Sequence, residues 1–320
     1  MDNKNSDSYE ENRIQDIPLS EVFDAILLFF PEITRSDVKF LYHGTYNVFE
    51  VKQAYIFRFP DKTFRNESGV KLIRREVKIL NSIRELISFS IPEPEYISFD
   101  PDNPLMGYKK IEGLSLSRCF ESFPVEELLK IGKEIAKFLS ELHSKEILYK
   151  LVGNEIISGE FSPISYHAYW NNYYEMVEER IFPLLSKLER EWVHLLFSRF
   201  LDNKANFRFN PVVIHGDFDT SNILIDTHTH KITGVIDFEE TRMYDPAADF
   251  LFFEEGHMFS NQIISNYKGS IDSNFEERRR FLFGRTCLAY IEFGITHDMK
   301  DMVNWGLNRL RIIMDFFFNI

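Results

Sequence analysis

Val213-Ile-His-Gly-Asp-Phe-Asp-Thr-Ser-Asn-Ile-Leu-Ile-Asp226, then Gly234-Val-Ile-Asp-Phe238, then Asp245-Pro-Ala-Ala-Asp-Phe250, decides how this chain is read. The apolar runs Val212-Val213-Ile214, Ile223-Leu224-Ile225 and Val235-Ile236 have the length and composition of short buried strands, and the polar stretch from Asp226 to Lys231 is the turn between the last two. Asp217 stands five positions before Asn222, and Asp237 closes the third run. Three oxygen-bearing side chains therefore fall at strand ends and on one loop, where a rigid scaffold can bring them together. Phosphoryl transfer from a magnesium-bound nucleotide makes that demand: a carboxylate to receive the acceptor's proton, and hard oxygen ligands for Mg2+. Asp217 suits the first task, Asn222 and Asp237 the second.

The neighbours of these residues have plainer roles. His215 either touches the acceptor or braces the metal-binding segment. Asp219 and Thr220 either face the acceptor or cap the loop, and both readings stay open. His228 and His230 alternate in a polar turn and are read as exposed turn residues. Asp245 and Asp249 sit at a helix start, where a carboxylate accepts backbone N–H bonds, with Asp249 placed to brace the catalytic loop.

Upstream, Ser20 to Phe30 reads as a short amphipathic helix with Ser20 as N-cap and Pro31 just past its end. Val38 to Val51 and Ala54 to Phe59 are rich in aromatic and β-branched residues and read as strands joined near Lys52-Gln53. Val70, Ile73, Val77, Leu80 and Ile83 recur at helical spacing within a helix predicted over 67–87. Tyr96 to Phe99 and Leu105 to Ile111 add strands around Asp100-Pro101-Asp102-Asn103-Pro104. From Glu126 onward helices dominate: a stripe through Leu128, Ile131, Ile135, Phe138, Leu139 and Leu142 ends near His143, and further helices are expected over 166–188, 189–201, 259–268, 274–293 and 299–317. The chain is thus α+β, with a small β-rich lobe carrying one helix over 1–111 and a larger, mainly helical lobe over 112–320.

Composition narrows the partners. The 37 basic and 50 acidic residues leave a formal charge of -13, which opposes binding to nucleic acid and favours cationic ligands. Cys119 and Cys287 show no metal-type spacing, and two distant cysteines fit a reducing compartment. Met1 to Glu11 is polar and acidic, a short candidate for disorder without the features of a signal peptide, and the apolar run Ala25 to Phe30 is too short to cross a bilayer. A cytoplasmic protein without a membrane partner is expected.

At the residues quoted above, the chain resembles the aminoglycoside phosphotransferase and choline kinase superfamily, and within it most closely the aminoglycoside 2''-phosphotransferases. The resemblance runs from about Val38 to the C-terminus, with its specific motifs between His215 and Asp249. It implies a bilobal protein-kinase-like fold with 1–111 as the nucleotide-binding lobe, a nucleoside triphosphate donor (ATP or GTP) with Mg2+, and a small cationic hydroxyl-bearing acceptor such as an aminoglycoside. It favours the bracing role for His215, since the residue at this place in kinase-like loops mainly braces the metal-binding segment. It further implies that the hairpin carrying Gly44 covers the phosphates and that Arg58 takes the place of the family's basic residue, with Glu76 on the next helix as its partner. The segment Lys109 to Glu112, including Ile111, is expected to offer backbone groups to the purine. Asp217 and the carboxylates Glu240, Glu254 and Glu255 are the expected acceptor contacts. Glu239 departs from the pattern by replacing a common glycine. Kinases of macrolides, choline, sugars or homoserine share the same loop, and a catalytically silent nucleotide-binding protein is the alternative from another class.

Overall fold

The computed structural model describes residues 15–317; the polar opening from Met1 to Glu11 lies outside them. Helix α1 (Leu19–Leu27) precedes strands β1 (Val38–His43), β2 (Tyr46–Val51) and β3 (Tyr55–Pro60), then α2 (Glu67–Ile83), β4 (Pro94–Ser98) and β5 (Leu105–Lys109). These strands form one antiparallel sheet in the order β1-β2-β3-β5-β4. The run from Val38 to Val51 is two strands, because the chain turns back at Gly44-Thr45. The second turn reverses at Lys52 and Gln53, both at positive φ.

Each face of the sheet has its own cover. Phe49, Phe57 and Phe59 point to the face closed by Val22, Ala25 and Ile26 of α1. Tyr46, Val48, Met106 and Tyr108 point the other way, onto Ile73, Val77 and Leu80 of α2. The alternation of side chains along a strand produces this division. Helix α1 starts one residue before the predicted cap: Pro18, at φ -57, supplies the turn into the helix and makes no side-chain cap, and Ser20 lies inside the first turn. Asn66 caps α2 by accepting the Ser68 N–H at 2.7 Å.

The larger lobe follows. A short β6 (Leu114–Ser115) and α3 (Leu116–Cys119) lead to α4 (Val125–Leu142), α5 (Lys145–Gly153), α6 (Pro163–Met176) and α7 (Lys187–Asp202). Then come β7 (Val212–Ile214), β8 (Ile223–Asp226), β9 (Lys231–Val235), β10 (Arg242–Tyr244), α8 (His257–Asn266), α9 (Phe275–Gly284), α10 (Thr286–Thr296) and α11 (Lys300–Phe317). Strand β8 pairs with β6 on one side and β9 on the other, while β7 pairs with β10. Helix α5 carries only two buried residues, Ile147 and Leu151, too few for periodicity to reveal it. The helix expected over 166–188 ends early, as a π turn over Val177–Ile181 and a 3-10 turn with Pro183 complete that stretch. The helix expected over 274–293 is interrupted at Arg285, which separates α9 from α10.

One apolar core runs through both lobes, joining Ile79 and Leu80 of α2 to Phe138 and Leu139 of α4 and Phe218 and Phe238 of the loops. The backbone joins them too: Val235 N–H donates to Ser90 O at 2.9 Å. A Cβ on Gly234 would stand 2.7 Å from that carbonyl, so the absence of a side chain lets the lobes meet here. No helix among the described residues is long and apolar enough to cross a membrane.

Candidate active site

The loop after β7 and the end of β9 are held against each other by backbone and side chain. Ile236 N–H donates to Asn222 O at 3.0 Å, extending the β8-β9 ladder to the carboxylate that follows. His215 Nε2 donates to Ile236 O at 2.9 Å. Burial lowers the His215 pKa against the opposing pull of Asp249 and Asp237, so the ring is neutral and acts as a strut. The expected brace is therefore the observed contact.

Asp249 fastens the other side of the loop. Its fully buried carboxylate accepts the His215 N–H at 2.7 Å, the Gly216 N–H at 3.0 Å and His143 Nε2 at 3.0 Å. Tyr267 Oη lies 2.9 Å from the other ring nitrogen of His143. Asp245 caps the following turn through the Ala247 N–H and is paired with buried Arg278 at 2.7 Å. Between these anchors Gly216 adopts φ 92, and a Cβ there would stand 2.5 Å from Glu240 O. Gly216→Ala is expected to cost about 2 kcal/mol or more in a urea-unfolding measurement, since both backbone and space exclude a methyl group.

Asp217 is exposed at the loop's crest, while Asn222 is buried beneath it. The Asn222 amide N–H2 donates to Asp217 O at 2.8 Å and to Asp217 Oδ2 at 3.2 Å. This orients the carboxylate and turns the Asn222 carbonyl oxygen away from it. Asp237, with φ 71, gives one oxygen to Arg58 Nη2 at 2.9 Å. The positive φ in this segment thus falls on Asp237, and Glu239 takes the common glycine's place without backbone strain. An amide oxygen and a carboxylate on adjoining strand ends form a hard donor set that fits Mg2+.

Arg58 is the hub of the upper wall. Its Nη1 meets Glu76 Oε1 at 2.5 Å, its Nη2 meets Asp237, and its guanidinium lies 4.1 Å from the centre of the Tyr46 ring. The predicted Arg58–Glu76 pair is present and buried. Burial raises the Glu76 pKa against the pull of Arg58. Burial, reinforced by Asp237, pushes Glu239 up to about 9. Arg75 was not singled out in the sequence. It donates to Glu239 O at 2.6 Å and to Thr241 O, tying α2 to the loop after Asp237. Nothing local distinguishes it from Arg74, which stacks on Phe99.

The remaining predicted residues divide. Gly44 lies in the β1-β2 turn, its N–H bonded to Tyr46 O at 3.0 Å. Lys109 belongs to the β5 ladder opposite Tyr55, and the neighbouring Lys110 N–H is taken by Ala54 O. Ile111 lies beyond the ladder, packed over Gly234. Glu240 is exposed and paired with Arg242 at 2.8 Å, and Glu254 is paired with Arg309. Both expected acceptor carboxylates therefore already have arginine partners, from β10 and α11. Glu255 has no arginine among the described residues; it accepts the Thr220 hydroxyl at 3.1 Å, and burial pushes it up to about 7. Asp219 accepts Ser221 N–H at 2.7 Å as a loop cap, whereas Thr220 faces Glu255.

A model of the phosphotransferase enzyme family, APH, matches residues 37–254. The chain belongs to this family. As an APH-family member it is a small-molecule phosphotransferase acting on an alcohol oxygen. The GDP and kanamycin complex of an APH(2'') enzyme of type III superimposes with a TM-score of 0.80 at 22% identity, covering 92% of this chain and 98% of that one. A macrolide 2'-phosphotransferase of type I superimposes with a TM-score of 0.68 at 17% identity, covering 93% and 98%. The KEOPS complex subunit Bud32 of Pyrococcus abyssi is 28% identical over 99 residues, which span 31% of this chain and 42% of that relative's length. The solved structures corroborate the bilobal kinase-like fold of this APH member.

Proposed function

We propose that this APH-family enzyme is cytoplasmic and transfers the γ-phosphoryl group of ATP or GTP to a hydroxyl of an aminoglycoside. The observation that carries the reading is the exposed Asp217 carboxylate, held by the amide of Asn222 on a loop pinned to the Asp237 segment. Asn222, through its carbonyl oxygen, and Asp237 would hold Mg2+, which when bound neutralises charge on the transferring phosphates. Asp217 accepts the acceptor's proton as the oxygen attacks. Arg58, bonded to Glu76 and Asp237, would place its positive charge beside the phosphates, and the Gly44 hairpin would cover them. The purine edge meets the backbone of Ile111 and Glu112, since the groups of Lys109 and Lys110 lie in or against the sheet. Direct assay of ATP and GTP against kanamycin, with product identified by mass, tests the reading; absence of product with either donor across an aminoglycoside panel would refute it.

A macrolide acceptor is the second reading, favoured by one observation. Two of the three acidic residues expected to hold a polyamine already carry arginines. Glu255 is then the acid best placed to meet an acceptor ammonium beside Thr220. Its carboxyl is protonated below about 7 and ionised above, so its attraction for a cation grows as pH rises through that value. Glu255→Gln is expected to raise the aminoglycoside KM about tenfold at pH 8 and much less at pH 6, with little change in the nucleotide KM. Glu254→Gln is expected to change either KM less. Equal effects on the two substrates would make Glu255 a general structural residue.

A further inference from the structure

Three carboxylates crowd one guanidinium beside the catalytic loop. Arg58 Nη1 serves Glu76 at 2.5 Å, while Nη2 bonds Asp237 at 2.9 Å and stands 3.6 Å from Glu239 Oε2, too far for a hydrogen bond. Glu239 Oε2 is buried with no hydrogen-bond partner, and so is Glu76 Oε2. Leaving a buried carboxylate oxygen without a partner is costly, and two such oxygens flank Asp237 and Arg58 here.

The position of Glu239 also matters. Its carboxyl neighbours Thr45 in the turn of the hairpin, and its backbone carbonyl is fixed by Arg75. It therefore lies near both the hairpin turn and the Arg58 guanidinium that Asp237 bonds, two residues from Asp237, which with Asn222 would hold the cation. A glycine in this place could supply no ligand; a glutamate can reach inward without strain, because the positive φ lies at Asp237. Among the described residues, the one group of three His, Cys, Asp or Glu side chains with all ligand atoms within 4.8 Å of one another is Asp16, His43 and Asp61, and it is already closed by bonds within it and to Asn47, Lys62 N–H and Thr63. That group has the character of a latch tying the N-terminal segment to the hairpin.

We propose that Glu239 is an additional carboxylate of the cation site, acting with Asp237 and the Asn222 carbonyl oxygen, and that it lets the protein bind a divalent cation before any nucleotide arrives. The proposal rests on Asn222 and Asp237 being the metal ligands. Without Glu239 the cation would depend on nucleotide phosphates for its remaining oxygen ligands; with it, the site is partly complete in the protein alone.

The test is Mn2+ binding to the nucleotide-free full chain, followed by electron paramagnetic resonance of the free ion. Wild type is expected to bind Mn2+, Glu239→Gln and Glu239→Gly to bind at least tenfold more weakly, and Glu239→Asp to recover part of the loss. Asp237→Asn should lose the same class of site, which distinguishes it from the Asp16–His43–Asp61 group. Thermal melting checks that each variant is folded, and Gln keeps the size of Glu if Gly proves unstable. Equal Mn2+ affinity in folded wild type and Glu239→Gln overturns the proposal, as does wild type that binds Mn2+ only with nucleotide present. In either case, loss of nucleotide-dependent Mn2+ binding in Asp237→Asn would leave the assignment of Asp237 standing. Retention of that binding would remove the assignment as well.

Discussion

Asp217→Asn is expected to lower kcat for phosphoryl transfer by about two to four orders of magnitude, the usual contribution of a positioned general base, while the nucleotide Kd changes less than about threefold. The amide is the same size and can still accept from Asn222, but it cannot receive the acceptor's proton. The side chain is exposed and the amide keeps its hydrogen bond from Asn222, so folding should be intact. Single-turnover transfer measured beside nucleotide titration separates the two quantities. Wild-type transfer by the variant would remove Asp217 from the mechanism; equal loss of nucleotide binding would make it part of the donor site.

The second large effect is expected at Asp249. Its buried carboxylate gathers the His215 and Gly216 N–H groups and His143, so Asp249→Ala leaves several donors without an acceptor. A loss of about 3–5 kcal/mol in unfolding free energy is expected, the range for breaking a buried pair, together with a slack catalytic loop and reduced kcat. Burial alone would raise the carboxyl pKa; the hydrogen bond from His143 and the His215 and Gly216 N–H groups more than offset it, and the folded value lies below 3.8. A depressed carboxyl contributes its stability above the unfolded pKa and loses it as pH falls through the folded value. The gap between wild type and Asp249→Asn should therefore be full at neutral pH and narrow only below about 3.8. A gap that widens on acidification would contradict this account.

Both residues were legible in the sequence because their surroundings are local. Asp217, Asn222 and Asp237 lie within one run of short strands, and the β8-β9 ladder that brings them together is written in alternating apolar residues and one polar turn. Asp249 closes a short 3-10 turn over Pro246–Asp249 that the Asp-Pro-Ala-Ala pattern marks. The Arg58–Glu76 pair was also readable, since an arginine on an apolar strand needs a carboxylate and the next helix offers one. Glu240 and Glu254 were not. Their arginines, Arg242 and Arg309, are set by the pairing of β10 with β7 and by the packing of α11, and acidic composition alone cannot say which carboxylates are already matched.

The same division holds for the fold. Apolar periodicity determined the sheet-and-helix lobe, the α4 stripe and the catalytic strands, because each element has to bury one face and its residues repeat at that element's period. Tertiary structure decided where α9 gives way to α10, that the two buried side chains of α5 suffice to make a helix, and that one core joins the lobes across Gly234 and Ser90. Those outcomes depend on contacts between segments far apart in the chain, and a local pattern holds no record of its distant neighbours.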